Sequence, residues 1–192
     1  MSFFVNTMVC GFSLYQILAF FLIYSCLGWC LEVIYAAVST GQLVNRGFLN
    51  GPVCPIYGFG MIIVLFTLSP LADNLLLLYI GGVILPSVLE LVGGWALYKL
   101  YHTRWWDYSA MPFNLDGYVC LQYSLLWGLL GMAAVRWGND LLFRLCAHLP
   151  PLLFHAVVWG GMALAVLDQI SAMVVVSRYA NRHPRLEQLN RE

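Results

Sequence analysis

Five apolar stretches joined by short polar connections govern what this 192-residue chain can become. A bilayer crossing takes ~20 apolar residues at a rise of ~1.5 Å each. Residues 14–37, 54–72, 75–98, 119–135 and 150–176 meet or approach that length. The chain is 61% hydrophobic and 9% charged, against roughly 25% charged in soluble domains. So much apolar surface cannot all be hidden from water by one fold of this size, whereas a bilayer removes the need. The sequence therefore predicts an all-α polytopic membrane helix bundle of about five transmembrane helices. Residues 1–176 are expected to form a single transmembrane domain and residues 177–192 a short basic cytoplasmic tail. No basic residue precedes the first stretch, as a cleaved leader would require, so that stretch is expected to stay in the protein.

Residues 138–149 separate the last two stretches. Leu141, Leu142, Leu145 and Leu149 would share one helical face, with Arg144 and His148 opposite. This predicts a short interfacial helix, capped by Asn139 or Asp140. With five spans, the first loop, the third loop and the tail lie on one side and hold seven basic residues (Arg46, Lys99, Arg104, Arg178, Arg182, Arg185 and Arg191). The other side holds two, Arg136 and Arg144. The positive-inside rule then places the N-terminus outside and the C-terminus in the cytoplasm.

Three acids fall inside apolar stretches: Glu32, Glu90 and Asp168. Ionisable groups there are costly, and they either pair or serve a function. Counted from the cytoplasmic ends of their helices, Glu32 lies ~8 Å deep, and Glu90 and Asp168 ~12 Å. All three belong to the same half of the membrane. Gln169 and Ser171 give the last helix a polar stripe, which favours a structural role for Asp168.

The same side carries two unusual loops. Residues 45–60 contain four glycines and two prolines, which no plain helix accepts. A non-helical or re-entrant first cytoplasmic loop is expected, with Gly47, Gly51, Pro52, Pro55, Tyr57, Gly58 and Gly60 as its structural motif. The third loop holds Arg104, Trp105, Trp106, Asp107, Tyr108 and Ser109, then Pro112, Phe113, Asn114, Leu115, Asp116 and Gly117. Its tryptophans suit the headgroup layer. The candidate substrate or ion contacts are Glu32, Asn45, Arg46, Glu90, Asp107 and Asn114. Arg46 is the nearest cation to balance the buried acids, with Lys99 and Arg104 as competitors. Each candidate also has a plain structural alternative, in pairing, loop capping or topology.

Other chemistries find no pattern. The six cysteines make no CxxC pair, and Cys26 and Cys30 read as small hydrophobes in a span. His102, His148, His155 and His183 are scattered, so no metal site is expected. GxxxxGK[ST], GxSxG and HExxH are absent. Zero net charge gives nucleic acid no attraction.

From Phe21 to Gly131 the chain resembles a bacterial family, the putative ABC-transporter type IV (CmpB-like) membrane proteins. The resemblance rests on residues 24–32, 44–52 and 54–60, then Leu89-Glu90, residues 104–109, residues 112–115 and Trp127-Gly128. It implies a permease or permease-like subunit of the bacterial inner membrane; no cofactor is expected from the residues. Membrane lipid surrounds such a chain; five spans are few for a translocation path, so a second copy or another partner is expected, and ATP-driven transport would require an ATPase in trans. Relatives often carry an acid where this chain has Tyr98, a departure for any scheme that uses a carboxylate there. Two other functions are open to the same residues: a membrane-embedded enzyme acting on a lipid or lipid-linked substrate, and a structural or regulatory membrane subunit.

Overall fold

The computed structural model describes residues 8, 9, 12–45 and 47–182. Helix α1 (Leu14–Thr40) opens on a capping box. Gln16 N–H donates to Ser13 Oγ at 3.2 Å, and Ser13 N–H donates back to Gln16 Oε1 at 2.8 Å. Gln16, which interrupts the first apolar stretch, is therefore the N3 partner of the Ser13 cap. The helix stops at Gly41, whose φ of 72° suits a residue without a Cβ. Helix α2 (Pro55–Leu68) begins on a proline, where the missing N–H costs nothing, and ends in a 3₁₀ turn, Ser69–Leu71. Helix α3 (Leu75–Tyr101) is capped by Asn74, which accepts from Leu77 N–H at 3.1 Å.

The third loop carries a two-stranded ladder, β3 (Asn114–Leu115) against β4 (Val119–Cys120). An equally short ladder, β1 (Met8–Val9) against β2 (Phe12–Ser13), precedes α1. Helix α4 (Leu121–Ala133) passes through a π turn (Ala134–Gly138) directly into α5 (Asn139–Ala147). The expected cap at Asn139 or Asp140 is not there. Gly138 keeps helical angles and provides no side-chain cap, because the chain never leaves the helix. Asn139 Oδ1 instead accepts from Tyr24 Oη at 2.7 Å, tying α5 to α1. The helix predicted over this region and its amphipathic character are both present. Helix α6 (Pro151–Arg182) completes the fold.

Leu14–Thr40, Leu75–Tyr101 and Pro151–Arg178 are long and apolar enough to cross a membrane. α2 with its 3₁₀ turn is a shorter apolar helix. On α3, Leu76, Ile80, Ile84, Val88 and Val92 recur every fourth residue and all are exposed. Such a stripe is stable against lipid and not against water. Helices meet through small residues, as packing in lipid requires. Gly58 of α2 lies on Ser25 and Phe21 of α1, and Gly82 of α3 lies on the backbone of Gly128 of α4.

The first loop is non-helical only as far as Cys54 among its described residues. Pro55, Tyr57, Gly58 and Gly60, expected within it, instead form the first turns of α2, because a proline is accepted at the first helical position and Gly58 lets α2 close onto Ser25 and Phe21 of α1. Leu49 is 2% exposed and packs with Val53 and with Ala172 of α6. Phe48 meets Trp105 of the third loop with ring centroids 5.1 Å apart. Both loops therefore close over one end of the bundle.

Candidate functional site

A cavity of about 280 Å³ lies between α1, α2, α3 and α4 beneath the third loop. Glu32 of α1 and Glu90 of α3 both line it. Tyr57 Oη donates to Glu32 Oε1 at 2.6 Å. Tyr108 Oη donates to Glu90 Oε1 at 2.9 Å, and Trp127 Nε1 donates to Glu90 Oε2 at 3.3 Å. The Tyr57 and Trp127 rings meet edge to face at 5.4 Å, so one aromatic wall joins the two carboxylates.

Glycines make this wall possible. A Cβ on Gly28 would fall 2.1 Å from Tyr57 Cγ, so the missing side chain leaves the space that Tyr57 fills. Gly94 leaves the same kind of space for Trp106 and Tyr118. Trp106 donates to the Tyr118 carbonyl at 2.8 Å and lines the cavity. The expectation of tryptophans at headgroup level thus meets two more specific contacts. Trp106 roofs the cavity, and Trp105 packs tilted against Phe48 and edge to face against Tyr101.

The other candidates lie elsewhere. Asn45 organises the first loop. It accepts from Trp29 Nε1 and Gly47 N–H, each at 3.0 Å, and donates to the carbonyls of Leu49 and Asn50 at 3.0 and 3.1 Å. Asn114 does the same in the third loop, with its amide donating to the Met111 carbonyl at 2.8 Å and its oxygen accepting from Gly117 N–H at 3.0 Å. Asp107 accepts from the Ser109 hydroxyl and N–H and faces Arg104 at 3.5 Å. The Ser109 bonds, aided by Arg104, hold its carboxyl below the usual carboxylate range. Arg104 also donates to the Asp116 carbonyl at 2.7 Å and lies 4.6 Å over the Tyr118 ring. Arg46, expected to balance the acids, lies outside the described residues. Every donor described on the three intramembrane acids is neutral.

Asp168 takes no part in the cavity. Its two oxygens accept from Asn50 Nδ2 at 3.0 Å and Gly51 N–H at 2.7 Å, pinning the first loop to α6. A Cβ on Gly51 would lie 3.2 Å from Asp168 Oδ2. Gly51→Val should therefore loosen the clamp and lower membrane accumulation severalfold, measured as detergent-extractable fusion fluorescence. Normal accumulation and function would make the loop a tether.

Tyr108, Trp127 and Trp106 were not among the candidates. Depth was the available signal for one of them. Counted from residue 119, where the fourth apolar stretch begins, Trp127 lies eight residues in, or ~12 Å, the depth counted for Glu90. Applied to aromatic groups with polar tips as well as to acids, the same count pairs the two.

Apolar helices with an exposed apolar stripe, closed round a cavity that holds two carboxylates, define a membrane protein of the helix-bundle class. The chain belongs to the family described as "Putative ABC-transporter type IV", whose profile matches residues 19–173. The match reaches beyond Gly131 into α6 and includes Asp168. No curated protein and no solved structure matches the chain.

Proposed function

We propose that the chain is a permease-type subunit of a bacterial inner-membrane transporter, crossing the bilayer five times, with the cavity between Glu32 and Glu90 as its substrate site. The observation that carries this reading is the pair of carboxylates from separate helices in one small cavity, each held by a neutral donor. Asp168 shows the structural alternative, with both oxygens committed to holding the first loop, whereas Glu32 and Glu90 line open space. The family description agrees with transport. A purely structural role is disfavoured by the room left between the helices, since packing in lipid is otherwise close.

With no nucleotide-binding motif in the chain, energy would come from an ATPase docked on the two packed loops. Tagged protein extracted with its native lipid should bring down an ATP-hydrolysing subunit. Copurification with one stable partner that turns over no nucleotide would move the chain to the structural or regulatory class. Turnover of a lipid by the chain alone would make it an enzyme.

The orientation proposed is N-terminus out and C-terminus in, from the seven-to-two basic asymmetry. A reporter fused after Glu192 should be active only in its cytoplasmic form. Periplasmic activity there would break the five-pass topology.

A further inference from the structure

We propose that the cavity takes a small organic cation, an ammonium group carried on an apolar or aromatic body. This deepens the substrate-site reading and rests on it. Two carboxylates line the cavity, and no basic side chain does so among the described residues. Tyrosine and indole donors stabilise the carboxylates without cancelling their charge. Glu32 Oε2 accepts no hydrogen bond among the described residues, so that oxygen has capacity for a further donor. Two carboxylates in a largely apolar enclosure favour a positive occupant, which would compensate their charge on binding.

The rest of the lining says what kind of cation. Leu27, Leu31, Leu89 and Leu130 cover much of the wall, which suits an apolar body rather than a hydrated ion. Tyr57, Tyr108 and Trp127 bring aromatic rings to the same space as the carboxylates, and ring faces attract ammonium groups. Bare divalent metal fits poorly. Among the described residues no group of three or more His, Cys, Asp or Glu gathers anywhere, and hard cations take six or more oxygen ligands. The volume, about 280 Å³, lies just below the range of drug-sized ligand sites, about 300 to 1,000 Å³, and so suits a small occupant.

Phenyltrimethylammonium and tert-butylbenzene share one shape and differ in charge. Binding of each to the purified full chain in lipid nanodiscs can be followed by calorimetry or by tryptophan fluorescence. The cation should bind at least about tenfold more tightly than the neutral hydrocarbon. Glu32→Gln and Glu90→Gln should each erase most of that preference. Equal binding of the two probes, tighter binding of benzenesulfonate, or no binding of the cation would overturn the proposal. So would cation binding that emerges only in Arg46→Gln, because the chain's own arginine would then be the occupant. The wild-type comparison needs no variant to fold. An ATPase partner with no cation preference would sink this inference and leave the permease reading intact. A carboxylate-dependent cation site in a chain with no transport partner would do the reverse.

Discussion

Gly28→Val should nearly abolish folded protein in the membrane. The new Cβ alone would lie 2.1 Å from Tyr57 Cγ and 2.5 Å from Tyr57 Cβ. The clash is with the base of the ring, close to its own backbone, so no rotation of a flexible tip relieves it. Either α2 moves off α1 or Tyr57 leaves the cavity. Overpacking costs about 1–3 kcal/mol where the surroundings can give, and more where they cannot. A separation would also disturb Gly58 against Ser25 and Phe21 one turn further on. Gly28→Ala should show a milder form of the same defect. Combining Gly28→Val with Tyr57→Ala should recover accumulation while leaving Glu32 without its donor. Size-exclusion profiles of extracted fluorescent fusions read both effects. A Gly28→Val profile like that of the wild type would mean that Tyr57 does not fill this space.

The second large effect is expected at Glu90, the most deeply enclosed charge in the cavity and 8% exposed. Its two oxygens accept from different donors, Tyr108 and Trp127. Glutamine has one acceptor oxygen and one donor amide. In Glu90→Gln the single acceptor oxygen cannot serve both; where it stays with Tyr108 the Trp127 indole, which can only donate, faces an N–H, and a stranded buried donor costs about 1–3 kcal/mol. ATP hydrolysis stimulated by transport in the copurified complex should fall at least about tenfold, the scale of losing one site interaction of that size. Adding Trp127→Phe removes the stranded indole, and thermal unfolding should then move back toward the wild-type temperature. Activity should stay low, since the charge is still missing. If Glu90→Gln is fully active, Glu90 leaves the functional site and the chain moves toward a structural role.

Much of the fold was legible because a bilayer imposes a length and an apolar character that sequence displays directly. The starts at Leu14, Leu75 and near Pro150 were visible, and the observed helices run on by three to six residues at the loop end of α1, α3 and α6. Single residues were misread where a polar side chain had two uses. Gln16 reads as a break in an apolar run and is a capping partner. Asn139 reads as a cap and is a tertiary contact to Tyr24. Neither use leaves a mark in hydrophobic periodicity. Within the candidate site, depth brought out Glu32 and Glu90 together. It also selected Asp168, because depth says nothing about rotation around a helix axis, and Asp168 turns toward Asn50 and Gly51. Asn45, Asp107 and Asn114 stood out as polar residues in unusual loops, and the structure uses their side chains to hold those loops in shape.

The central claim is that Glu32 and Glu90 face one cavity, joined through Tyr57 and Trp127. The chain has four glutamates: Glu32, Glu90, Glu187 and Glu192. Glutamate labelled with ¹³C at the side-chain carboxyl therefore yields a small set of resonances, and the two cavity residues can be assigned from their glutamine variants in lipid. Glu32→Gln should move the Glu90 carboxyl resonance, and Glu90→Gln should move that of Glu32, with Glu187 and Glu192 unmoved in both. If each cavity resonance is indifferent to replacement of the other residue, the two acids occupy separate places and the shared site does not exist.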